Sequence, residues 1–180
     1  MQALRRIMKN LWALSLLCTA GTAVADPEAD YRAGFNAYLI EDLPNAMMFL
    51  GKAADAGHAK AQSLLGYIYD KAEENQEALR YYRMSASQGD SAGEYGLGAL
   101  YASGEGVERN YREAVRWFAK AVEQGHGPAI AVLATSYLEG GLGLEEDRDK
   151  ALNLLRRGAA LGDGSARQHL KRLSREAATQ

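Results

Sequence analysis

The segment LGALYASGEGVERNYREAVRWFAKA, residues 97–121, decides the fold. Its first part sets Leu97, Gly98 and Tyr101 close together, and its second part sets Ala114, Trp117, Phe118 and Ala121 at offsets of 0, 3, 4 and 7. Those offsets mark one face of an α-helix. Between the two parts, Gly104-Glu105-Gly106-Val107 reads as a turn. Asn110 stands four residues before Ala114, where its side chain can accept a hydrogen bond from the first helical turn. The segment therefore predicts two antiparallel helices, termed A and B, joined by a glycine-bearing turn.

The pattern recurs on both sides. Ala46, Ala78, Ala114 and Ala151 set the register of helix B, and eleven residues after each comes a glycine: Gly57, Gly89, Gly125 and Gly162. Large apolar residues follow each alanine at offset 3 (Phe49, Tyr81, Trp117, Leu154) and again at offset 4 (Leu50, Tyr82, Phe118, Leu155). Asp42, Glu74, Asn110 and Asp147 precede the alanines by four and read as caps, of which Glu74 is the poorest. The glycines suit a left-handed residue that closes helix B. Helix A, counted from the glycine, carries small residues at offset 4 (Ala61, Gly93, Ala129, Ala166) and at offset 9 (Gly66, Gly98, Ala134). Leu65, Leu97 and Leu133 stand at offset 8, and Tyr69, Tyr101 and Tyr137 at offset 12. Successive glycines are 32, 36 and 37 residues apart, and the differences fall in the A-to-B turn. Such pairs bury a continuous core only by stacking on one another. The predicted core is Phe49, Leu65, Tyr69, Tyr81, Leu97, Tyr101, Trp117, Leu133, Tyr137 and Leu155.

This pattern resembles the Sel1-like repeat, a relative of the tetratricopeptide repeat. The residues that carry the resemblance are Ala61, Leu65, Gly66 and Tyr69 in one copy, residues 97–121 in the next, and the third copy through Ala151. It extends over roughly residues 29–170; the turn near Lys71 to Asn75 lacks the glycine pair, and Leu154 replaces the usual aromatic. The resemblance implies an all-α fold, a right-handed α-solenoid of antiparallel helix pairs with helix A on the concave face. The expected division is a signal peptide over 1–25 and a repeat domain over 26–180. Within that domain the expectation is a half-repeat 26–57, repeats 58–89, 90–125 and 126–162, and a C-terminal capping helix 163–180.

The leader reading rests on Arg5, Arg6 and Lys9, then an apolar stretch from Leu11 to Cys18, then Ala23-Val24-Ala25 before Asp26. A basic start, a short apolar segment and an A-x-A end describe a secretory signal, with cleavage expected after Ala25 and the mature chain in the periplasm. The apolar stretch falls short of the ~20 residues of a membrane span, so no membrane insertion is expected after cleavage. Taking those three cations from the 21 basic residues leaves 18 against 23 acidic ones, an acidic balance that disfavours nucleic acid as a partner. Cleavage also removes Cys18, the single cysteine, so no disulfide framework is expected.

Few residues are left to carry chemistry. His58 and His126 each follow a closing glycine, at positions held elsewhere by Asp90 and Asp163, and His169 lies on the last helix without a His or Glu at i+4. No metal site is expected from them, and no cofactor. Gly104-Glu105-Gly106 lacks the Lys-Ser/Thr of a phosphate loop, and no serine sits in a Gly-x-Ser-x-Gly elbow. The expectation is a binding protein with no catalytic residues, monomeric by itself. Tyr67 and Tyr95 lie on helix A beside the register positions, with Lys60, Ser63, Glu94 and Thr135 as polar neighbours, so these six are the candidate partner-binding residues. The leading function is a periplasmic protein-interaction module. Proteins similar to this one include immunity proteins that neutralise lipase-type toxins delivered to the periplasm, which is the alternative. A hydrolase or a glycan or peptidoglycan binder is the reading from another class.

Overall fold

The computed structural model describes residues 26–178. The expected leader 1–25 and its cleavage position after Ala25 lie outside the described residues. The described chain is all-helical: α1 (Pro27–Leu39), α2 (Leu43–Asp55), α3 (Ala59–Lys71), α4 (Asn75–Ser87), α5 (Ser91–Ser103), α6 (Tyr111–Glu123), α7 (Gly127–Glu139), α8 (Arg148–Ala160) and α9 (Gly164–Ala178), with a 3-10 turn at Gly141–Gly143. Helices α1, α3, α5, α7 and α9 are A helices; α2, α4, α6 and α8 are B helices. None of the described helices is long and apolar enough to cross a membrane.

Two features build every pair. Each B helix closes on a glycine with φ between +76° and +94°, at Gly57, Gly89, Gly125 and Gly162. The amide of the next residue turns back to the helix, as from His58 to the Ala53 carbonyl at 2.9 Å and from His126 to that of Ala121 at 3.0 Å. Each A-to-B turn, whatever its length, ends on one hydrogen bond. The amides of Asp42, Glu74, Asn110 and Asp147 donate to the carbonyls of Ala37, Tyr69, Tyr101 and Tyr137, at 2.9, 3.0, 2.8 and 2.7 Å. Residues can therefore be added to the turn without moving the helices. Three of those four residues also cap helix B with their side chains; Glu74 makes no such bond.

The described residues divide into two compact units on either side of Gly93, 26–93 and 94–178. In the first, α1 packs on α2, α2 on α3 and α3 on α4. Its core joins Ala46, Leu50, Ala53, Ala61, Leu65 and Ile68, with Tyr69 packed against it. In the second, α6 packs on α7, α7 on α8 and α8 on α9, and the 3-10 turn rests on α6 and α7. One cluster there gathers Ala114, Phe118, Ala121, Ala129, Ile130 and Leu133, and another Ala134, Leu155, Ala166 and Leu173.

The structure corrects two expectations. Residues 26–57 are not a half-repeat, because they hold both helices of a pair, with Gly34 of α1 against Leu50 of α2. Offset 3 of helix B is also not uniformly core. Leu50, Tyr82, Phe118 and Leu155 at offset 4 are 0 to 5% exposed, whereas Phe49 and Trp117 are half-buried. Neighbouring residues on a helix point about 100° apart, so Tyr81 reaches the partner helix only near its end, stacked on Tyr69 at 5.4 Å, and offset 4 is the position that faces its middle. The small residue at offset 9 of helix A selects it. A Cβ on Gly66 would stand 2.6 Å from the Tyr82 ring, and one on Gly98 would stand 2.8 Å from Phe118. Trp117 instead lies under Lys120, whose Nζ is 4.2 Å from the ring centroid. Tyr69, Tyr101 and Tyr137 are likewise half-buried.

Candidate functional site

Helix A faces carry the candidate residues, and the two units present different ones. In the first unit, Lys60, Ser63 and Tyr67 lie at i, i+3 and i+7 of α3 and so share one face. Lys60 is exposed, and Tyr67 is 40% exposed. Ser63 is buried, and its hydroxyl donates to the Lys60 carbonyl at 3.2 Å, which leaves it a local role. The Tyr67 ring meets Tyr38 of α1 edge-on, centroids 6.4 Å apart at 88°, with the Lys71 ammonium 5.4 Å from its own centroid.

Helix α1 extends this surface. Tyr31 stacks on Phe35 at 5.9 Å and on the His58 imidazole at 4.5 Å. Phe35 is 37% exposed. Tyr31, Phe35 and Tyr38 are not marked in the sequence because no closing glycine stands before the opening segment to set its register. Aligned, Phe35 takes the position of Tyr67, and Tyr31 that of Ser63 and Tyr95. Burial, ahead of the nearby charges, raises the Tyr31 and Tyr38 phenols above their ordinary range.

His58 fastens one side of this face. Its Nδ1 accepts the Ala61 amide at 3.2 Å, capping α3, while Nε2 meets the Glu28 carboxylate at 3.0 Å. Nδ1 is therefore the unprotonated nitrogen and Nε2 the donor. That hydrogen bond, followed by one from Arg32, holds the Glu28 carboxyl below its usual range. His126 caps α7 in the same way, Nδ1 accepting from Ala129 at 3.3 Å. Among the described residues no group of three His, Cys, Asp or Glu side chains could hold a metal ion.

In the second unit the candidates are more enclosed. Glu94 is 4% exposed, and its Oε2 accepts from the Gln124 amide at 2.8 Å. Tyr95 is half-buried, its ring 5.6 Å from Phe118 and 4.9 Å from His126. Thr135 is half-buried and lines a shallow apolar depression of about 440 Å³ with Ala131, Val132 and Leu142. Leu142 sits there at φ 54°, a left-handed backbone that a branched apolar residue rarely adopts. Glu94 and Gln124 repeat an arrangement in the first unit, where Gln88 donates to the Gln62 carbonyl oxygen at 2.6 Å. Gln62, itself 2% exposed, donates onward to the Ala54 carbonyl at 3.0 Å. The six candidate residues thus fall into two groups, one per unit. Within them Lys60 and Tyr67 are surface groups, and Ser63 and Glu94 are framework.

A chain of stacked helix pairs with shallow faces is a helical-repeat scaffold. The Sel1 repeat matches it four times, at residues 27–58, 59–90, 91–126 and 127–163, and the chain belongs to the Sel1 repeat family. It is similar to DAP3-binding cell death enhancer 1 of Rattus norvegicus, 38% identical over 94 residues, 51% of this chain and 18% of the relative. It is also similar to chitin synthase regulator SKT5 of Saccharomyces cerevisiae, 29% identical over 148 residues, 78% of this chain and 21% of that one. The chain spans only about a fifth of the length of these relatives. The crystal structure of a Sel1 repeat protein from Oxalobacter formigenes superposes with a TM-score of 0.72 at 29% identity, covering 92% of this chain and 69% of that one. The fold is shared as well with c5321, a protective antigen of uropathogenic Escherichia coli: TM-score 0.69, 24% identity, 91% of this chain and 34% of that one.

Proposed function

We propose that this chain is an exported, non-catalytic interaction module of the periplasm that grips a protein partner with the helix A face of its first unit. The observation that carries the reading is the two ring pairs on α1 and α3, Tyr31 with Phe35 and Tyr38 with Tyr67. Two of these rings stand more than a third in water, at 37% and 40%, with Lys60 and Lys71 close by on α3. Rigid aromatic side chains offer large contact area at low entropy cost, and they dominate binding energy where a partner excludes water from them. The matched relatives are named for binding and regulation, which agrees with a scaffold role. Export is supported by the basic and apolar leader ending at Ala25.

The partner test compares captures from periplasmic extract by the tagged wild-type chain and by Phe35→Ala/Tyr67→Ala, followed by a Kd for each purified partner. Tyr95 is left intact because its ring supports Phe118. The reading expects a loss of affinity of at least about tenfold with little change in thermal melting. A variant that stays folded and binds at full strength overturns it. N-terminal sequencing of the secreted chain should begin at Asp26, and cytoplasmic retention would remove the export half of the proposal.

A further inference from the structure

Helix α9 keeps the helix A register. It meets α8 through Ala166 and Gly158, where a Cβ on the glycine would stand 3.0 Å from the alanine's own. Gly93 meets Ser85 in the same way between α5 and α4. Leu170 takes the position of Leu65, Leu97 and Leu133, and Lys171 that of Gly66, Gly98 and Ala134. In earlier pairs this face receives the B helix of the same pair, with Gly66 seated on Tyr82 and Gly98 on Phe118. No B helix follows α9 among the described residues. Between α8 and α9 there is instead a groove of about 550 Å³ with Leu152, Leu170 and Leu173 on its floor and Arg148, Arg156 and Lys171 on its rim. The α6 positions equivalent to Leu152 and Arg156 are Val115 and Ala119, which pack against an apolar cluster. Lys171, at a position held by glycine or alanine in the earlier A helices, adds a cation that those faces lack.

We propose that this groove seats an acidic amphipathic helix of a partner protein, lying where the B helix of a fifth pair would lie. The floor calls for an apolar stripe at helical spacing, and the rim calls for carboxylates on both flanks. Among the described side chains, no acidic one lines the groove. Arg148 also donates to the Leu173 carbonyl at 3.2 Å, which ties α8 to α9 and fixes the groove's width. The chain's own B helices α6 and α8 have more basic than acidic residues and so lack that acidic charge.

The test uses the secreted full chain and a fluorescein-labelled synthetic helix with leucines at i, i+3 and i+7 and glutamates on both flanks. A matched peptide carries lysines in place of the glutamates. Fluorescence anisotropy should show the acidic peptide binding at least about tenfold tighter, with the preference shrinking as salt rises. Arg156→Glu/Lys171→Glu, which spares Arg148, should invert the preference, and the neutral Arg156→Gln/Lys171→Gln should abolish it. Equal binding of the two peptides overturns the proposal, and so does a preference that survives in the neutral variant. Sedimentation showing a dimer of the chain that the charge-reversed variant dissolves would give the groove to a second copy and overturn it too.

Discussion

Phe118→Ala tests how helix B is oriented, because the neighbouring Trp117 makes the opposite expectation easy to state. Phe118 is 2% exposed and stands on Gly98, in a cluster with Ala114, Ala121, Ile130 and Leu133. Truncating a buried phenylalanine costs about 3–5 kcal/mol, more when the walls cannot close over the hole. Gly98, Ala114 and Ala121 have no side chain able to swing into it, so a value near 4 kcal/mol is expected within that range. Trp117 is half-buried, with Lys120 and Arg116 over its ring at 4.2 and 5.1 Å. Its loss removes partial burial and exposed cation–π contact, together about 1–2 kcal/mol. For a chain of this size the two correspond to drops in Tm of roughly 8–16 °C and 2–8 °C. Urea unfolding followed by circular dichroism measures both. If Trp117→Ala costs as much as Phe118→Ala, the offset-4 assignment is wrong. A double-mutant cycle sharpens the test: Gly98→Ala with Phe118→Leu recreates the Ala134 and Leu155 combination that the next pair uses. The double variant should then be more stable than the sum of the singles by about 1 kcal/mol or more.

Backbone strain gives a second prediction. Glu73 sits at φ 60°, so Glu73→Gly should stabilise by up to about 1 kcal/mol in a thermal melt. Gly57 has φ 87° and open space around any added Cβ, so Gly57→Ala should cost about 1 kcal/mol from the backbone alone; a neutral result would contradict the left-handed closure of α2. A third concerns alkaline pH. Burial, then the Tyr81 ring stacked 5.4 Å away, pushes the Tyr69 phenol up to about 12 from 10.0. The folded state therefore holds the neutral phenol more firmly than the unfolded chain does. This contribution is complete below the unfolded value and is lost as pH rises from about 10 towards about 12. Melts across that window should show a fall in Tm that Tyr69→Phe reduces; an equal fall in both proteins would refute the assignment.

The helices, caps and closing glycines were legible because each is a local rule repeated four times. Asp42, Asn110 and Asp147 cap as their spacing demands. The choice between Trp117 and Phe118 was not legible, since both are large, apolar and adjacent. Only the closeness of Gly98 decides it, and that is a relation between two helices. The ring row of α1 was hidden for a different reason. The first pair has no preceding glycine to start the count, so Phe35 carried no sign that it stands where Tyr67 stands. Ser63 and Glu94 read as surface polar groups, yet their hydrogen bonds lie inside the stack. A buried acid cannot be told from an exposed one until its partner, here Gln124, is placed.

The amide links also bear on which helix A closes with which helix B during folding. Gln62 and Gln88 form one link, and Glu94 and Gln124 another. At the equivalent positions of the last pairs stand Ile130 and Leu161. A helix A that closed on the helix B of another pair, α3 on α8 for example, would set a buried amide against an aliphatic side chain. Each buried polar group left without a partner costs about 1–3 kcal/mol, a large share of what one pair could gain by stacking. The links thus keep the helices of the two amide-joined pairs from closing with those of the aliphatic pair, so that part of the pairing is written into a chain built from one repeated motif.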